Sequence, residues 1–231
     1  MLRFWITATF LCVTLAAAAQ DCKNYYYMLS HSEVEMSIID GKGGPVGKQL
    51  IKIGDVKNEG GEMVSDFTST LTMKDGKVMG QGKGKFKCGG AGISVDIKMM
   101  MPSSPMAGQQ ATMKGSDAFL VYPSSLSTGQ TLPDASFTMD TETNGMKMSM
   151  KYKVTGRTVA GKEKITTSAG SWDCYRITFK ADFIMSMMGK DIPVEFTGTE
   201  WFSPGFGVVK TESVGKKGEK MGGTLITKLV K

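Results

Sequence analysis

The sequence predicts an all-β protein: a large antiparallel meander of about twelve to fourteen strands that forms an open half-barrel or a strongly curved sheet. Three observations predict this class. Polar and apolar residues alternate with a period of two along most of the chain, glycine-rich turns interrupt the alternation, and beyond residue 19 no stretch has a convincing helical period. So long a meander must curl or fold over to protect its edges and bury its apolar face.

The first 19 residues have the pattern of a secretory signal peptide. Arg3 precedes an apolar run from Phe4 to Leu15, and a run of alanines ending at Ala19 offers a small-residue cleavage site. We therefore expect cleavage after Ala19 and a secreted or periplasmic protein that begins at Gln20. The apolar run is shorter than the roughly 20 residues that cross a bilayer, so the sequence predicts no membrane-spanning segment.

The first strands of the mature chain form hairpins. Residues 33–38 alternate polar with apolar side chains, the glycine-rich segment 41–45 interrupts them, and residues 49–53 resume the alternation. Residues 66–73 then lead into residues 74–77, where Asp-Gly is a favoured two-residue turn. The sequence thus predicts at least two consecutive hairpins near its start.

The second half of the chain repeats this pattern. Phe137 and Met139 precede a second turn at Asn144-Gly145, after which alternation resumes. Further strands are expected near residues 172–184, 191–201, 206–214 and 221–230. The conspicuous loop from Pro102 to Gln110 lies near the middle of the chain. We predict a single β domain over residues 20–231, with two halves that meet near residues 102–117.

The cysteines suit an oxidising compartment. Cys12 leaves with the signal peptide, so the mature chain keeps Cys22, Cys88 and Cys174. We expect one disulfide among these three and one remaining thiol that serves as a small apolar core residue; sequence alone does not choose the pair. Asp21 stands where a lipoprotein needs a small residue before its lipid-bearing cysteine, so no lipid anchor at Cys22 is expected.

The charge distribution argues against nucleic-acid binding. The formal net charge is +6, but it is spread over well-separated lysines. The chain has only three arginines, Arg3, Arg157 and Arg176, and they form no cluster. Without an arginine cluster or a basic stripe interleaved with aromatic residues, the lysines are best interpreted as solvated strand faces.

Few residues could support catalysis. The single histidine, His31, lies between two serines with no nucleophile elbow, and it lacks the companions of a zinc site. The glycine-rich segment 41–48 does not match a phosphate-binding loop. The sequence therefore predicts no catalytic residue, no metal, no cofactor and no enzymatic activity.

Methionine is unusually abundant, with 19 residues. On a strand, Met146, Met148 and Met150 share one face, and Met185 and Met187 share a face of a later strand. Methionine is an adaptable apolar filler, and a methionine-lined concave face could hold an acyl chain. Cu(I) is the alternative occupant, but a Cu(I) site would also need convergent histidine or cysteine ligands, and the sequence shows none.

Several segments together resemble a known family. They are Asp21-Cys22 with Tyr25-Tyr26-Tyr27, Phe86-Lys87-Cys88, Val121-Tyr122-Pro123, Gly129 to Asp134, Ala169 to Tyr175, and Glu200 to Lys210. In order and spacing they resemble the TapB-like family of secreted proteins from Bacteroidetes-type bacteria, which is related to envelope domains of unknown function. The resemblance implies one β-rich periplasmic or outer-surface domain, of a curved-sheet type similar to lipoprotein carriers, and no established active site.

These observations lead to one expected function and two alternatives. We expect an exported, non-enzymatic cell-envelope domain that binds an apolar or polymeric ligand, such as a lipid or an envelope component, on the methionine-rich concave face. The first alternative is a structural or assembly component of an envelope or secretion machine, which would have a protein partner. The second is an exported hydrolase that uses carboxylates or a hidden thiol.

Overall fold

The computed structural model describes residues 22–100, 118–143, 146–187 and 189–231. The predicted signal peptide, the Asn144-Gly145 turn and residues 102–117, where two halves were expected to meet, lie outside these residues. The described residues form twelve strands: β1 (Glu33–Asp40), β2 (Pro45–Glu59), β3 (Glu62–Met73), β4 (Val78–Gly89), β5 (Gly92–Asp96), β6 (Phe119–Pro123), β7 (Ala135–Thr143), β8 (Met146–Thr167), β9 (Gly170–Met187), β10 (Lys190–Ser203), β11 (Gly207–Gly215) and β12 (Lys220–Val230). Short 3-10 turns occur at Cys22–Asn24, Tyr26–Met28 and Ile97–Met100.

All twelve strands belong to one antiparallel sheet, which confirms the predicted fold class. The strand order is β6-β5-β4-β3-β2-β1-β12-β11-β10-β9-β8-β7. Strands that follow one another in the chain are neighbours in the sheet, except β6 and β7, which are its two edges in the described part of the chain. The first and last strands pair instead, with Glu33 opposite Val230. The sheet curves into a barrel-like form, and we call the gap between β6 and β7 the seam.

Local turn chemistry explains the first hairpins. Asp40 ends β1, and its Oδ1 accepts hydrogen bonds from the backbone N–H groups of Lys42 (2.9 Å) and Gly44 (2.8 Å). At the β3–β4 turn, Asp75 Oδ1 accepts a hydrogen bond from the N–H of Lys77 at 3.0 Å. Gly76 has φ 85°, a conformation that favours glycine. Both predicted hairpins are present.

The longest strand, β8, bends as it runs. Its pairing with β9 shifts register between Thr155 and Thr158 and again between Val159 and Gly161. Such bulges bend a strand and increase its local twist. They let β8 and β9 follow the curvature of the sheet over their full length.

One end of the sheet interior is filled by residues 22–28, which we call the N-terminal plug. Tyr25 and Tyr27 are fully buried there, and the Tyr27 ring stacks on Phe86 with 4.5 Å between centroids. The ring also occupies the space beside Gly207, where a Cβ atom would clash with it. The β10–β11 turn lies at this plug end, so antiparallel pairing puts the starts of β8 and β10 and the end of β9 at the opposite end.

Candidate functional site

A fully buried polar cluster crosses the seam. Glu200 on β10 forms an ion pair with Arg157 on β8, with 3.0 Å between Oε1 and Nη2. The Tyr122 hydroxyl on β6 donates a hydrogen bond to Glu200 Oε2 at 2.8 Å. Arg157 Nη1 donates to the carbonyl oxygens of Val121 at 3.0 Å and Pro133 at 3.3 Å. The cluster therefore connects the edge strand β6 to β8 and β10.

The electrostatics of this cluster suit an ion pair with a structural role. Burial is the main cause of the raised pKa of Tyr122, and the Glu200 carboxylate raises it further, so the phenol stays protonated. Burial is the largest single effect and lowers the pKa of Arg157, but the charges and hydrogen bonds of Glu200 and Tyr122 together outweigh it and raise this pKa overall. Both Glu200 oxygens already accept a hydrogen bond, and all three side chains are buried. Such an arrangement fixes the strands rather than presenting a reactive group.

Sequence reasoning missed this cluster as a unit. In the sequence, Tyr122 and Glu200 belong to segments that resemble a known family, and Arg157 is one of three scattered arginines. The available signal was that Arg157 interrupts a run of alternating residues otherwise rich in lysine. A delocalised guanidinium is better suited than an ammonium to a buried, multiply hydrogen-bonded site.

The register brings most of the candidate methionines together. Met148 lies opposite Met187, and Met150 lies opposite Met185, on β8 and β9. Met146 lies opposite Thr143 at the start of the β7–β8 pairing. The structure describes only the backbone of Met146 and Met187, whereas the side chains of Met148, Met150 and Met185 are half-buried.

Met139 on β7 belongs to the same group, although it was not among the candidate ligand-binding residues. It lies opposite Met150 and is 5% exposed. Ile192 on β10 lies opposite Met185 and is 51% exposed. These four residues form one cross-strand row on the inner face, at the end away from the plug. We call this row, together with Met148 and Met187 in the next row, the methionine face.

The inner face is packed just behind the methionine face. The next row toward the plug consists of Phe137, Tyr152, Phe183 and Val194. Phe137 and Tyr152 are buried, and the Tyr152 ring lies 6.4 Å from the rings of both Phe183 and Phe196. The interior is therefore packed with its own side chains at this row, whereas Met150, Met185 and Ile192 in the next row are partly accessible.

A groove of about 420 Å³ lies on the same four strands but on the other side. Eight of its twelve lining residues form two cross-strand rows, one from Ser136 to Glu195 and one from Thr138 to Pro193, and the other four form the row from Phe137 to Val194 between them. The two flanking rows point their side chains away from the face that carries Phe137 and Tyr152. Because Phe137 and Tyr152 face the core, the groove is on the outer face and is separate from the methionine face.

The cysteines pair as Cys22 with Cys88, with 5.7 Å between their Cα atoms. The bond attaches the N-terminal plug to β4. Cys174 is a free thiol and is buried in the core. Burial, followed by the charges of Asp173 and Glu163, raises the pKa of Cys174 to about 12. This thiol is therefore neutral at physiological pH and a poor nucleophile.

His31 lies on the surface. Its Nε2 is 3.2 Å from Asp55 Oδ1, and its side chain is 76% exposed. Within the described ranges, no three histidine, cysteine, aspartate or glutamate side chains are grouped so that they could hold a metal ion.

No helix among the described residues is both long enough and apolar enough to cross a membrane.

The fold is similar to two solved structures. One is a candidate exported protein with a YmcC-like fold from Bacteroides fragilis NCTC 9343, with a TM-score of 0.71 and 15% identity over 88% of this chain and 97% of that chain. The other is a candidate lipoprotein from Parabacteroides distasonis ATCC 8503, with a TM-score of 0.72 and 19% identity over 88% of this chain and 96% of that chain. At these identities the similarity shows the fold alone.

Comparison with curated proteins finds no match. A family model described as DUF3108-like matches residues 31–226, which is most of the chain. The TapB-like name inferred from the sequence finds no support in these matches, and the broader assignment takes its place. The chain belongs to the DUF3108-like family.

Proposed function

We propose that this protein is exported to the cell envelope and binds an apolar chain, such as a fatty acyl chain, on the methionine face without catalysing a reaction. The supporting observation is the exposure gradient along one row, from Met139 at 5% to Ile192 at 51%. Apolar side chains that are packed at one end of a row and accessible at the other form a surface that an apolar ligand could cover.

The composition of the methionine face suits a flexible ligand. Methionine is unbranched and adaptable, so it can follow the irregular outline of an acyl chain. Each methylene buried on such a face contributes about 0.8 kcal/mol. Lys190 is exposed and lies opposite Met187 on the same side of the sheet as Ile192. We propose that its ammonium group pairs with the carboxylate or phosphate of a lipid.

Export is supported by the signal-like pattern of residues 1–19 and by the fold neighbours, which are described as a candidate exported protein and a candidate lipoprotein. The Cys22–Cys88 disulfide also fits an oxidising compartment. A sulfur in a disulfide cannot also carry a thioether-linked lipid. We therefore propose that this chain is released rather than anchored through Cys22, unlike a lipoprotein.

The absence of catalysis is also part of the proposal. Cys88 is oxidised, and the neutral, buried Cys174 is poorly suited to a thiol-dependent hydrolase. Glu200 is held by Arg157 and Tyr122, so it is poorly placed to transfer protons in a carboxylate-dependent one. These contacts weaken a thiol-dependent mechanism and a carboxylate-dependent mechanism that uses Glu200.

The test compares two neighbouring residues that face opposite ways on β9. The exported protein is titrated with a fluorescent polyunsaturated fatty acid. Met185→Glu puts a charge on the methionine face, whereas Ile184→Glu puts the same charge in the outer groove. We expect Met185→Glu to weaken binding about tenfold or more, because burying an unpaired carboxylate is costly, and Ile184→Glu to leave binding unchanged. No binding by the unaltered protein, or equal binding by both variants, would overturn the proposal.

The exposure of Ile192 also favours a second candidate function, docking of a protein partner in an envelope assembly. A photo-crosslinking residue at position 192 separates the two functions. Crosslinking to one envelope protein in cells would favour assembly, and crosslinking to lipid would favour ligand binding.

A further inference from the structure

We propose that Met139, Met150 and Met185 form a binding site for a soft monovalent metal ion, Cu(I). The three residues lie on the neighbouring strands β7, β8 and β9, and the register places them in one cross-strand row. The next row adds Met148 opposite Met187. Five of the eight positions in these two rows of β7–β10 are therefore methionine.

The ligand chemistry favours Cu(I) over harder metals. Thioether sulfur is a soft, neutral donor, and soft donors select Cu(I), whereas Mg²⁺ and Ca²⁺ require oxygen ligands. The row itself supplies no carboxylate, because its fourth member is Ile192. Thioethers carry no proton at physiological pH, so binding at this site would not need deprotonation, in contrast to cysteine sites.

Cross-strand spacing lets the three sulfurs converge. Neighbouring strands lie about 4.8 Å apart, so the Cα atoms of Met139 and Met185 are about 10 Å apart on either side of Met150. A methionine side chain is long and has three rotatable bonds, which allows both outer sulfurs to turn toward the middle one. Residues two apart on one strand are separated by about 6.6 Å, which makes the spacing of Met146, Met148 and Met150 less suitable.

The methionine row is open to an entering ion on one side and closed to water on the other. Met150 and Met185 are half-buried, and the exposed Ile192 marks the side from which an ion would enter. Behind the row, Phe137 and Tyr152 close the interior. The sequence predicts no metal site, because no histidine or cysteine converges with the methionines; the register instead brings thioethers from three strands into one row.

The test uses Ag(I), a redox-stable ion with the same ligand preference, and isothermal titration of the exported protein. All proteins carry Cys174→Ala, because a free thiol would compete for Ag(I). We expect one Ag(I) to bind, and the triple variant M139L/M150L/M185L to lose binding. A control triple from other parts of the molecule, M28L/M36L/M221L, should bind as before. Single variants should weaken binding about tenfold or more, as removal of even an outer-shell partner does.

The same variants distinguish loss of the metal site from misfolding and from failure of acyl binding. Methionine-to-leucine exchanges conserve volume and apolar character, so the triple variant should keep its melting temperature and still bind the fatty acid probe. If it does not fold, Met150→Leu alone provides the comparison. The metal site is overturned if the Cys174→Ala protein with all its methionines binds no Ag(I), or if binding survives loss of the three thioethers. Neither result bears on acyl binding, whose failure would appear only with the fatty acid probe.

Discussion

At the scale of single residues, the fully buried pair of Arg157 and Glu200 carries an electrostatic cost. Removing two charges from water carries a desolvation penalty that their mutual attraction does not always repay. Here the pair also makes hydrogen bonds to Tyr122, Val121 and Pro133, which lie on β6 and on the segment linking the two sheet edges. We infer that the pair specifies how the seam is aligned.

This role predicts that glutamate-to-glutamine substitutions at two positions on β10 differ greatly in their effect on the free energy of unfolding. Glu200→Gln leaves the Arg157 guanidinium buried without a counter-charge, so the free energy of unfolding should fall by about 3 to 5 kcal/mol. Glu195→Gln removes only the exposed partner of Lys216, and a change of about 0 to 1 kcal/mol is expected. Urea denaturation measures both. Similar midpoints for the two variants would contradict a stabilising role for the buried pair.

At the scale of elements, a disulfide and packing contacts both hold the N-terminal plug in place. The Cys22–Cys88 disulfide spans 66 residues of sequence and holds the plug against β4. Tyr27 adds a stack on Phe86, and Ser65 on β3 donates a hydrogen bond to the Tyr27 carbonyl oxygen at 2.8 Å. The plug is therefore fixed by packing as well as by the disulfide.

Loss of this disulfide should destabilise the protein without abolishing the fold. For a loop of this length, the chain-entropy model gives a stabilisation of about 4 kcal/mol as an upper value. Cys22→Ala/Cys88→Ala should thus lower the free energy of unfolding by up to this amount in urea denaturation. Reducing agent should destabilise the unaltered protein and Cys174→Ala alike but leave the double variant unchanged. A response of the double variant to reducing agent would show that another disulfide carries the effect.

The elements also show what sequence could predict. Asp75-Gly76 and the glycine-rich segment 41–45 encode their turns through contacts a few residues apart, so both hairpins were predictable. The choice of Cys88 as the partner of Cys22 depends on how the plug packs inside the folded sheet, which no local pattern contains. Similarly, alternation placed Met146, Met148 and Met150 on one face, but Met139 joined Met185 only once the register across three strands was known.

At the scale of the whole molecule, the sheet is held together by contacts between distant parts of the chain. Strands β1–β6 and β7–β12 form two contiguous halves, and β1 pairs with β12 along their length. Tyr27 bridges the halves by stacking on Phe86 and donating a hydrogen bond to the Val208 carbonyl oxygen at 3.3 Å. Tyr122 and Glu200 connect them again at the seam.

These three connections predict that both halves unfold together, although chains of this length often populate intermediates. Hydrogen–deuterium exchange at increasing urea concentrations can follow peptides from β2–β4 and β8–β10 separately. Their protection should disappear at the same urea concentration, which should also match the fluorescence transition of Trp172 and Trp201 in the second half. In Glu200→Gln the seam connection is weakened, but β1–β12 pairing and the plug remain, so both transitions should move to lower urea together. If one half lost protection at a lower urea concentration than the other, the two halves would be separately stable units. The shared core would then contribute less to stability than the strand pairing within each half.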